Sequence, residues 1–379
     1  MKIAYCVENI HNSGGIERIL STKSNYLVSH GYQVHMVVIC PAPSKPFFYF
    51  DPNVKFHYLN LDIRKDHGLR KKINFNKNKK IFLDSLSKLF SEIKPDITIS
   101  TFCIFSKYIY ELKDGSKKIL ERHFAKYKRA YYYAKLDKYY LGRLITYFYR
   151  RQEYAIIQKF DKFVVLTHED KESWGNRLSN IEVIENALTC IPKSTSELEN
   201  KKVITLGRLN QQKQLDHLIE IWSVIAKKYP DWKLEIYGSG SQERKLKQLI
   251  SKLKLTGFIK ILPATPNIEK VFLESSIYAM TSKYEGFGLA LAEAMSYGVP
   301  PVSYACKCGP RDIINNNKDG YLVAFNDKKE FIEKLSLLIE DENKRKEMGK
   351  AASTNILRYS PEAIMKKWMN LFDKLVNTN

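Results

Sequence analysis

Short apolar runs alternate with longer amphipathic segments along almost the whole chain, and this alternation constrains the fold more than any other feature. The short runs are rich in Val, Ile, Leu and Tyr, which is typical of buried strands. Strands that alternate with helices form βαβ units and parallel sheets. Because 379 residues exceed what one hydrophobic core usually supports, we expect two domains. The pattern therefore predicts an α/β protein built on parallel sheets.

The alternation forms two series, separated at 189–201 by a Ser/Thr-containing segment with a proline that is typical of a linker. The first series predicts a helix at 16–30 and strands at 2–7, 33–40, 96–101, 118–120, 163–167 and 183–186. The second series predicts strands at 203–207, 233–237, 259–262, 278–281 and 301–304. Three helices are predicted at the end of the chain, at 328–340, 342–358 and 361–376.

Composition excludes several classes of protein. With 44% apolar residues the chain can bury a core, and we do not expect disorder. No apolar run approaches the ~18 residues that span a bilayer, and the N-terminus does not resemble a secretory signal. The six cysteines form no Cys-x-x-Cys pair and show no zinc spacing, so we expect reduced cytoplasmic thiols.

The formal net charge is +21, and the larger part of it lies in residues 1–190. A basic balance indicates phosphate partners, which could be nucleic acid, anionic lipid or a nucleotide diphosphate, although a solvated basic surface would look the same. Two stretches, 64–80 and 122–151, are strongly basic, and the second is interleaved with tyrosines. That mixture favours an anionic membrane surface. A solvated amphipathic helix is the main alternative, and single-stranded nucleic acid is the weakest interpretation.

The run from Tyr284 to Pro300 carries the most specific chemical information. Glu285 stands in a Gly-x-Gly turn, and Glu293 lies in an Ala/Leu/Met-rich helix that is predicted to stop at Gly298. Glycines in the turn leave no side chain in the way of a ligand. The helix that follows points its unpaired N–H groups at the turn, which suits a phosphate or a polyhydroxylated group.

At these residues the chain resembles the retaining glycosyltransferases of family four, whose signature is two glutamates separated by seven residues within Glu-Gly-Phe-Gly, Glu-Ala-Met and Gly-x-Pro. The resemblance implies the GT-B architecture, an α/β fold with two Rossmann-like doubly wound domains that face a central cleft. It also implies an acceptor-binding domain at 1–188, joined by the C-terminal helix at 361–379. A domain that binds the nucleotide sugar would occupy 189–360.

The resemblance assigns donor contacts to the C-terminal half. Glu285 would accept hydrogen bonds from hydroxyls of the transferred sugar and take part in catalysis, and Glu293 would accept from the ribose. Arg208 and Lys213, which follow a predicted strand, would bind the diphosphate. The turn residues Gly286, Phe287, Gly288 and Leu289 would line the donor site. At the next strand end, 237–240 replaces the family's Gly-Asp-Gly with Gly-Ser-Gly, so only a backbone-shaping role is expected.

The N-terminal half supplies a glycine loop and a histidine. Gly14 and Gly15 follow the first predicted strand and match the family's Gly-Gly-x-Glu-Arg, a loop that faces the donor diphosphate and the acceptor. His123 corresponds to a histidine that approaches the sugar in many family members. The family commonly has Glu-His, whereas Arg122 intervenes here. A further departure is Gln214, where the family commonly has glycine after the lysine.

No Asp-x-Asp pattern lies at a predicted strand end, where it would hold a divalent ion on the donor phosphates. We therefore expect a metal-independent enzyme without a cofactor, in which cationic side chains and helix N-termini take the place of the metal. The resemblance implies front-face transfer, in which the departing phosphate deprotonates the acceptor.

The sequence thus predicts a retaining hexosyltransferase. Its donor would be a nucleotide diphosphate hexose or N-acetylhexosamine, with UDP favoured, and its acceptor a growing glycan carried on a polyprenyl diphosphate for surface polysaccharide biosynthesis. The enzyme would be cytoplasmic, peripheral on the inner face of the cell membrane, and would not bind nucleic acid. A non-catalytic nucleic-acid or anionic-membrane binder on the same scaffold is the alternative, and a GT-B sugar-nucleotide epimerase is a third interpretation.

Overall fold

The computed structural model describes residues 1–12, 14–41, 45–61, 68–103, 105–127 and 140–377, apart from the side chains of 68–73, 140 and 141. The chain divides into two compact units. Unit 1 contains Met1–Thr189 together with Pro361–Asn379, and unit 2 contains Cys190–Ser360. The part of the basic stretches at 64–67 and 128–139 lies outside the described residues.

Unit 1 is built on a seven-stranded parallel sheet with the order β3-β2-β1-β4-β5-β6-β7. Successive strands are added first on one side of β1 and then, from β4, on the other side. Such a reversal leaves a crevice at the carboxyl ends of the two central strands. The strands are β1 (Lys2–Val7), β2 (Gln33–Val38), β3 (Lys55–Tyr58), β4 (Ile97–Ser100), β5 (Lys117–Glu121), β6 (Lys162–Val165) and β7 (Ile181–Val183).

Helices cover this sheet because their apolar residues recur with helical spacing. Phe82, Phe163 and Trp174 are fully buried in one core cluster that joins helices to strands. The helices that follow these strands are α1 (Gly15–Ser29), α2 (Gly68–Ile93), α3 (Tyr140–Ile157) and α4 (His168–Trp174), with a 3-10 helix at Ser106–Glu111.

Unit 2 repeats the plan with a six-stranded parallel sheet in the order β10-β9-β8-β11-β12-β13. Here the direction reverses between β8 and β11. The strands are β8 (Lys202–Leu206), β9 (Lys233–Tyr237), β10 (Ile259–Leu262), β11 (Ile277–Met280), β12 (Pro301–Tyr304) and β13 (Tyr321–Val323). The helices are α5 (Leu215–Lys228), α6 (Glu243–Lys252), α7 (Ile268–Leu273), α8 (Leu289–Ser296), α9 (Pro310–Ile313), α10 (Lys328–Glu340) and α11 (Glu342–Asn355).

Four elements differ from the sequence prediction. The strand expected at 183–186 lies earlier in the chain, as β7 at Ile181–Val183. β3 and β13 were not predicted, because one is short and partly polar and the other has only three residues. The helix expected at 342–358 ends at Asn355 and continues as a 3-10 helix over Ile356–Tyr359. Tightening of the last turn is common where a helix must stop, and here the next helix begins at Pro361.

The last helix, α12 (Pro361–Asn377), belongs to unit 1 and packs on α1. Its predicted apolar face is buried, with Trp368 and Phe372 almost fully inaccessible. Lys23 Nζ of α1 lies 3.6 Å from the centroid of the Trp368 ring, a cation–π contact. Among all helices in the described ranges, none combines the length and the apolar character needed to cross a membrane.

Candidate active site

The carboxyl ends of β8 and β11 meet where the unit 2 sheet reverses direction, which is where doubly wound sheets bind ligands. β8 leads into the loop 207–209, and β11 leads into the segment 281–288 that precedes α8. The predicted donor contacts of the C-terminal half all follow one of these two strands. The topology therefore brings them to one edge of one sheet.

Two glycine-containing loops interlock at this edge. The Leu209 N–H donates to the Ser239 carbonyl oxygen at 2.9 Å. A Cβ built on Gly238 would lie 1.9 Å from the Gly207 carbonyl oxygen, and one on Gly240 would lie 2.5 Å from the Leu209 carbonyl oxygen. Only glycine fits at these two positions, since backbone occupies the space of a side chain. The second loop thus shapes the backbone of the loop that carries the predicted diphosphate-binding arginine.

The centre of the arrangement is an ion pair between Lys213 and Glu285. Lys213 Nζ lies 2.8 Å from Glu285 Oε1, and Glu285 is only 7% exposed. Burial alone would lower the pKa of Lys213, but the Glu285 carboxylate, with help from Tyr278 and Cys306, outweighs burial and raises that pKa. Lys213 is therefore protonated at neutral pH. The predicted phosphate-binding cation and the predicted sugar-binding carboxylate are in direct contact.

Hydrogen bonds to the backbone hold both partners of this pair. Asn210 Oδ1 accepts from the Lys213 N–H at 3.2 Å, and the Thr281 hydroxyl donates to the Lys213 carbonyl oxygen at 3.2 Å. The Glu285 N–H donates to the Lys307 carbonyl oxygen at 3.1 Å. Because the backbone on each side is fixed, the two charged groups are positioned before any ligand arrives.

Gln214, which stands where the resembled family commonly has glycine, adopts a backbone conformation that favours glycine. Its backbone is left-handed, with φ +49° and ψ +44°, directly before α5. Glycine adopts this conformation without strain, whereas other residues adopt it at a cost. The Gln214 side chain instead donates from Nε2 to Asn326 Oδ1 at 3.0 Å. The turn that presents Lys213 therefore persists despite this departure from the family pattern.

The Gly-Phe-Gly turn is anchored by its aromatic side chain. Phe287 is 2% exposed, and its ring packs edge-on against Tyr359 with 5.2 Å between centroids. A Cβ on Gly309 would lie 1.9 Å from the Phe287 carbonyl oxygen, so the neighbouring loop also packs on the turn through backbone. Phe287 is thus a packing residue whose placement shapes the turn, rather than a group open to solvent.

Gly288 begins α8 from the left-handed region, with φ +99°, and Leu289 is the first helical residue. Glu293 lies in the second turn of this helix and is 5% exposed. The helix ends before Gly298, which also has a positive φ of +72°, as the sequence predicted. Gly286 lies between Glu285 and Phe287, and Arg208 is exposed at the loop that follows β8.

In unit 1, the predicted glycine loop leads into α1. Gly14 caps this helix in an extended conformation, with φ −88° and ψ 164°, which any residue can adopt. A Cβ on Gly15 would meet nothing within 4 Å. The protein therefore does not itself require glycine at 15, and the open space next to this helix N-terminus is available to a ligand.

A cavity of about 430 Å³ opens at the β1/β4 reversal beside this loop. Its lining residues were not predicted from the sequence, although the ends of both strands were predicted and doubly wound topology makes those ends neighbours. Phe102 lines the cavity with a left-handed backbone, φ +41°, a strained conformation of the kind that clusters at functional sites. The lining residues are Val7, Glu8, Asn9, Asn12, Ile16, Glu17, Leu20, Thr101, Phe102, Cys103, Lys107 and Phe124.

His123 lies at the end of β5 in a buried charged cluster. Its side chain is 3% exposed, and Nε2 is 3.5 Å from Glu121 Oε1. Lys23 Nζ lies 2.8 Å from both oxygens of Glu121. Burial lowers the pKa of His123, which Glu121 opposes and Lys23 reinforces. The imidazole is therefore neutral at neutral pH, the state in which it can accept a proton.

The arginine that interrupts the family's Glu-His pattern points away from this cluster. Arg122 is 1% exposed, and its Nη1 donates to Glu153 Oε1 at 2.8 Å. Its guanidinium also lies over the rings of Phe124 and Trp174, at 4.7 and 4.8 Å. Arg122 is thus part of the core, whereas His123 lies beside Glu121, the last residue of β5.

Within the described ranges, no three or more His, Cys, Asp or Glu side chains are grouped so that they could hold a metal ion. Of the predicted site residues in unit 2, the structure brings Lys213 and Glu285 into direct contact. In unit 1 it places the glycine loop beside the cavity, with His123 at the end of a neighbouring strand.

Residues 189–355 match the family described as Glycosyl transferases group 1. The amylovoran biosynthesis glycosyltransferase AmsD of Erwinia amylovora is 28% identical to this chain, over 98% of this chain and 99% of its own length. A Campylobacter jejuni enzyme is 26% identical, over 100% of this chain and 99% of its own length. Its name is GalNAc-alpha-(1->4)-GalNAc-alpha-(1->3)-diNAcBac-PP-undecaprenol alpha-1,4-N-acetyl-D-galactosaminyltransferase.

The fold matches as well. A crystal structure of S. aureus TarM, a mutant in complex with fondaparinux, alpha-GlcNAc-glycerol and UDP, superposes with a TM-score of 0.77 at 19% identity. The match covers 98% of this chain and 99% of that one. The chain is a GT-B glycosyltransferase. The predicted α/β fold with two Rossmann-like domains is confirmed, while the roles of individual residues in this glycosyltransferase stay predictions.

Proposed function

We propose that this glycosyltransferase transfers a hexose or N-acetylhexosamine from a nucleotide diphosphate sugar to a growing glycan, with retention at the anomeric carbon. The Lys213–Glu285 ion pair carries the proposal. It sets a protonated amine next to a carboxylate at the ligand-binding edge of unit 2. In a sugar joined to a diphosphate, the phosphate oxygens lie close to the sugar hydroxyls. Such a donor therefore needs a cation for the phosphates and a carboxylate for the hydroxyls that also lie close together.

In the proposed mechanism, Lys213 and the exposed Arg208 bind the diphosphate and stabilise the charge that grows on it as it leaves. Glu285 accepts hydrogen bonds from sugar hydroxyls, and Glu293 from the ribose. The bond from the anomeric carbon to the phosphate oxygen breaks. The acceptor oxygen bonds to that carbon on the same face, and its proton passes to the departing phosphate. The cationic groups act where a metal ion would otherwise do so, hence we propose metal-independent transfer.

The acceptor site is proposed to be the cavity beside Gly14 and Gly15. Its lining mixes carboxylates and amides with the aromatic rings of Phe102 and Phe124, a combination suited to a sugar with many hydroxyls. A relative that matches the full length is named for transfer to a glycan on undecaprenyl diphosphate, and another for amylovoran biosynthesis. The first name supports a lipid-linked glycan as the acceptor, and the second supports a role in polysaccharide biosynthesis. UDP is favoured as the nucleotide, supported by the TarM complex.

A lipid-linked acceptor would require contact with the inner face of the cell membrane, and α3 offers a surface for it. Five large apolar side chains on this helix are 42–63% exposed: Leu144, Ile145, Tyr147, Phe148 and Tyr149. Exposed apolar groups in such number mark interaction surfaces, and the adjacent arginines at 143, 150 and 151 suit anionic lipid. This favours the membrane interpretation over a solvated helix and over nucleic acid.

Lys126, which lies in the same basic stretch, supports the fold instead. Its Nζ donates to the Tyr154 hydroxyl at 2.9 Å and to the Ser173 carbonyl oxygen at 2.7 Å, and it lies over the Trp174 ring. Variants that test membrane binding should therefore leave Lys126 unchanged.

The deciding experiment measures release of UDP or GDP from a panel of nucleotide sugars, with and without polyprenyl-diphosphate-linked glycans. We expect one donor to be consumed faster when an acceptor is present, and NMR of the product to show the donor's anomeric configuration. An inverted product would contradict the retaining mechanism. No nucleotide release from any donor would contradict the proposed reaction.

A further inference from the structure

A row of aromatic side chains runs over the surface of unit 1 and is not used by the proposed catalytic groups. It begins in the connection between β2 and β3, where four aromatic residues follow one another at 47–50. Phe47 is 52% exposed and Tyr49 is 72% exposed, whereas Phe48 and Phe50, which alternate with them, are half-buried. Large aromatic groups this exposed are unusual on a soluble surface unless they meet a partner.

The connection is held firmly on α1. The Ser21 hydroxyl and Asn25 Nδ2 both donate to the Tyr49 carbonyl oxygen, the latter at 3.1 Å. The Asp51 N–H donates in turn to Asn25 Oδ1 at 2.7 Å. The exposed rings therefore extend from a fixed backbone. A fixed platform loses little conformational entropy when it binds.

The row continues towards the glycine loop. Phe50 packs edge-on against Phe56 with 5.3 Å between ring centroids, and Phe56 stacks with Tyr58 at 6.3 Å. Tyr58 then stacks with His11 at 6.2 Å. These rings are half-buried, so each keeps part of its surface open. We call Phe47, Phe48, Tyr49, Phe50, Phe56, Tyr58 and His11 the aromatic ridge.

The ridge ends at the acceptor cavity. His11 stands between Asn9 and Asn12, which both line that cavity. Both ring nitrogens of His11 are buried without a hydrogen-bond partner in the described part of the chain. The ridge thus ends in the loop that supplies part of the cavity lining.

We propose that the aromatic ridge binds the sugar rings of the acceptor glycan that lie beyond the ring held in the cavity. Sugar rings present flat faces of C–H groups, which pack well on aromatic faces, while their hydroxyls stay in water. A row of such rings that ends at a cavity fits an extended chain of sugars better than it fits a single small molecule. The proposal rests on the proposed function only in taking a glycan as the acceptor.

A lipid surface is the competing occupant, and the observations favour the glycan. The exposed apolar face on α3 is a separate element, whereas the ridge ends at His11, in the loop whose Asn9 and Asn12 line the cavity. Membrane insertion would also leave the half-buried rings between Phe50 and His11 without a role. The glycosyltransferase would consequently bind a longer acceptor more tightly than a shorter one.

The test measures binding of soluble hexose and N-acetylhexosamine oligosaccharides, and of their monosaccharides, to the full-length protein by ligand-observed NMR and calorimetry. We expect at least one oligosaccharide to bind more tightly than its monosaccharide. The variants Phe47→Ala/Tyr49→Ala, and Tyr49→Ala alone, should reduce that affinity, the double variant by about tenfold or more. Phe325→Ala, which removes a 47% exposed ring from unit 2, is the matched control and should change nothing.

Three outcomes would overturn the proposal. The first is that no oligosaccharide binds more tightly than its monosaccharide. The second is that the variants, with unchanged melting temperatures, bind oligosaccharides as the wild type does. The third is that the variants lose binding to anionic phosphatidylglycerol vesicles while oligosaccharide binding is unchanged, which would indicate membrane contact. Because these measurements need no turnover, failure of the proposed transfer would appear separately, as absent nucleotide release.

Discussion

Replacing Glu285 by glutamine should reduce nucleotide release and transfer by about 10²–10³-fold, which corresponds to about 2.7–4 kcal/mol of transition-state stabilisation. The amide has nearly the shape of the carboxylate but lacks its charge, and half of it donates where the carboxylate only accepts. It would therefore misplace the sugar hydroxyls. It would also remove the carboxylate that holds the Lys213 ammonium in position before the donor binds.

The same change should lower the free energy of unfolding, and the structure sets the scale. Removing one partner of a fully buried ion pair costs roughly 3–5 kcal/mol. Here the Lys213 side chain is 18% exposed, and glutamine still offers an acceptor oxygen. We expect a loss of about 1–2 kcal/mol, or roughly 2–8 °C in the melting temperature of a unit of this size.

A second lysine–glutamate pair in unit 2 supplies the control. Lys202 Nζ lies 3.5 Å from Glu235 Oε2, with side chains 22% and 13% exposed. This pair joins β8 to β9. Lys202 Nζ also lies 3.4 Å from Glu274 Oε2, so Glu235→Gln should cost less stability than Glu285→Gln, and without a loss of turnover. Comparable loss of turnover in both variants would show that activity follows stability. Near-wild-type rates in Glu285→Gln would refute the role of Glu285.

Four further results are expected. Transfer should survive excess EDTA, since cationic side chains bind the phosphates; a loss that Mg²⁺ or Mn²⁺ restores would refute this. Binding of the wild-type protein to anionic vesicles should weaken at high salt. The double variant Tyr147→Ser/Phe148→Ser should bind these vesicles more weakly than the wild type, whereas the control Leu337→Ser should bind them equally well. Burial, then His57, Lys55 and Lys2, lowers the pKa of His35 to about 4. As the pH falls, the unfolded chain protonates this imidazole before the folded chain does. The free energy of unfolding, measured with urea, should therefore fall by up to about 3 kcal/mol from pH 6.5 to 4. The fall should be less steep in His35→Asn. Gly15→Ala should fold normally but transfer slowly, whereas Gly238→Ala should fail to fold stably.

Much of the fold follows from local pattern, and the exceptions have physical reasons. The buried strands on either side of the reversal in strand order in each sheet are short apolar runs, which the pattern of apolar residues along the chain identifies. β3 contains the stretch Lys-Phe-His-Tyr at the edge of its sheet, where fewer neighbours demand apolar residues. Its pairing with β2 is a long-range choice that no local window contains. The same holds for β13, at the edge of the other sheet.

The donor side of the site could be predicted from the sequence only through the resemblance to family-four glycosyltransferases. Lys213 and Glu285 are 72 residues apart, and nothing in their spacing shows that they touch. What makes them neighbours is the strand order, which places β11 next to β8 and so brings the two following loops together. The cavity in unit 1 follows from the same rule applied to β1 and β4. The left-handed backbone of Phe102 and the exposure of Tyr49 depend on packing that the sequence does not encode locally.

The glycines separate two kinds of constraint that look alike in a sequence. At Gly238 and Gly309, a Cβ would lie 1.9 Å from a neighbouring backbone oxygen, so these glycines are dictated by the protein's own packing. At Gly15 a Cβ would meet nothing within 4 Å. A position where the chain has room for a side chain and yet has none is better explained by something outside the chain. Because this opening adjoins both a helix N-terminus and the cavity, it is where we expect the substrates of this glycosyltransferase to approach the backbone most closely.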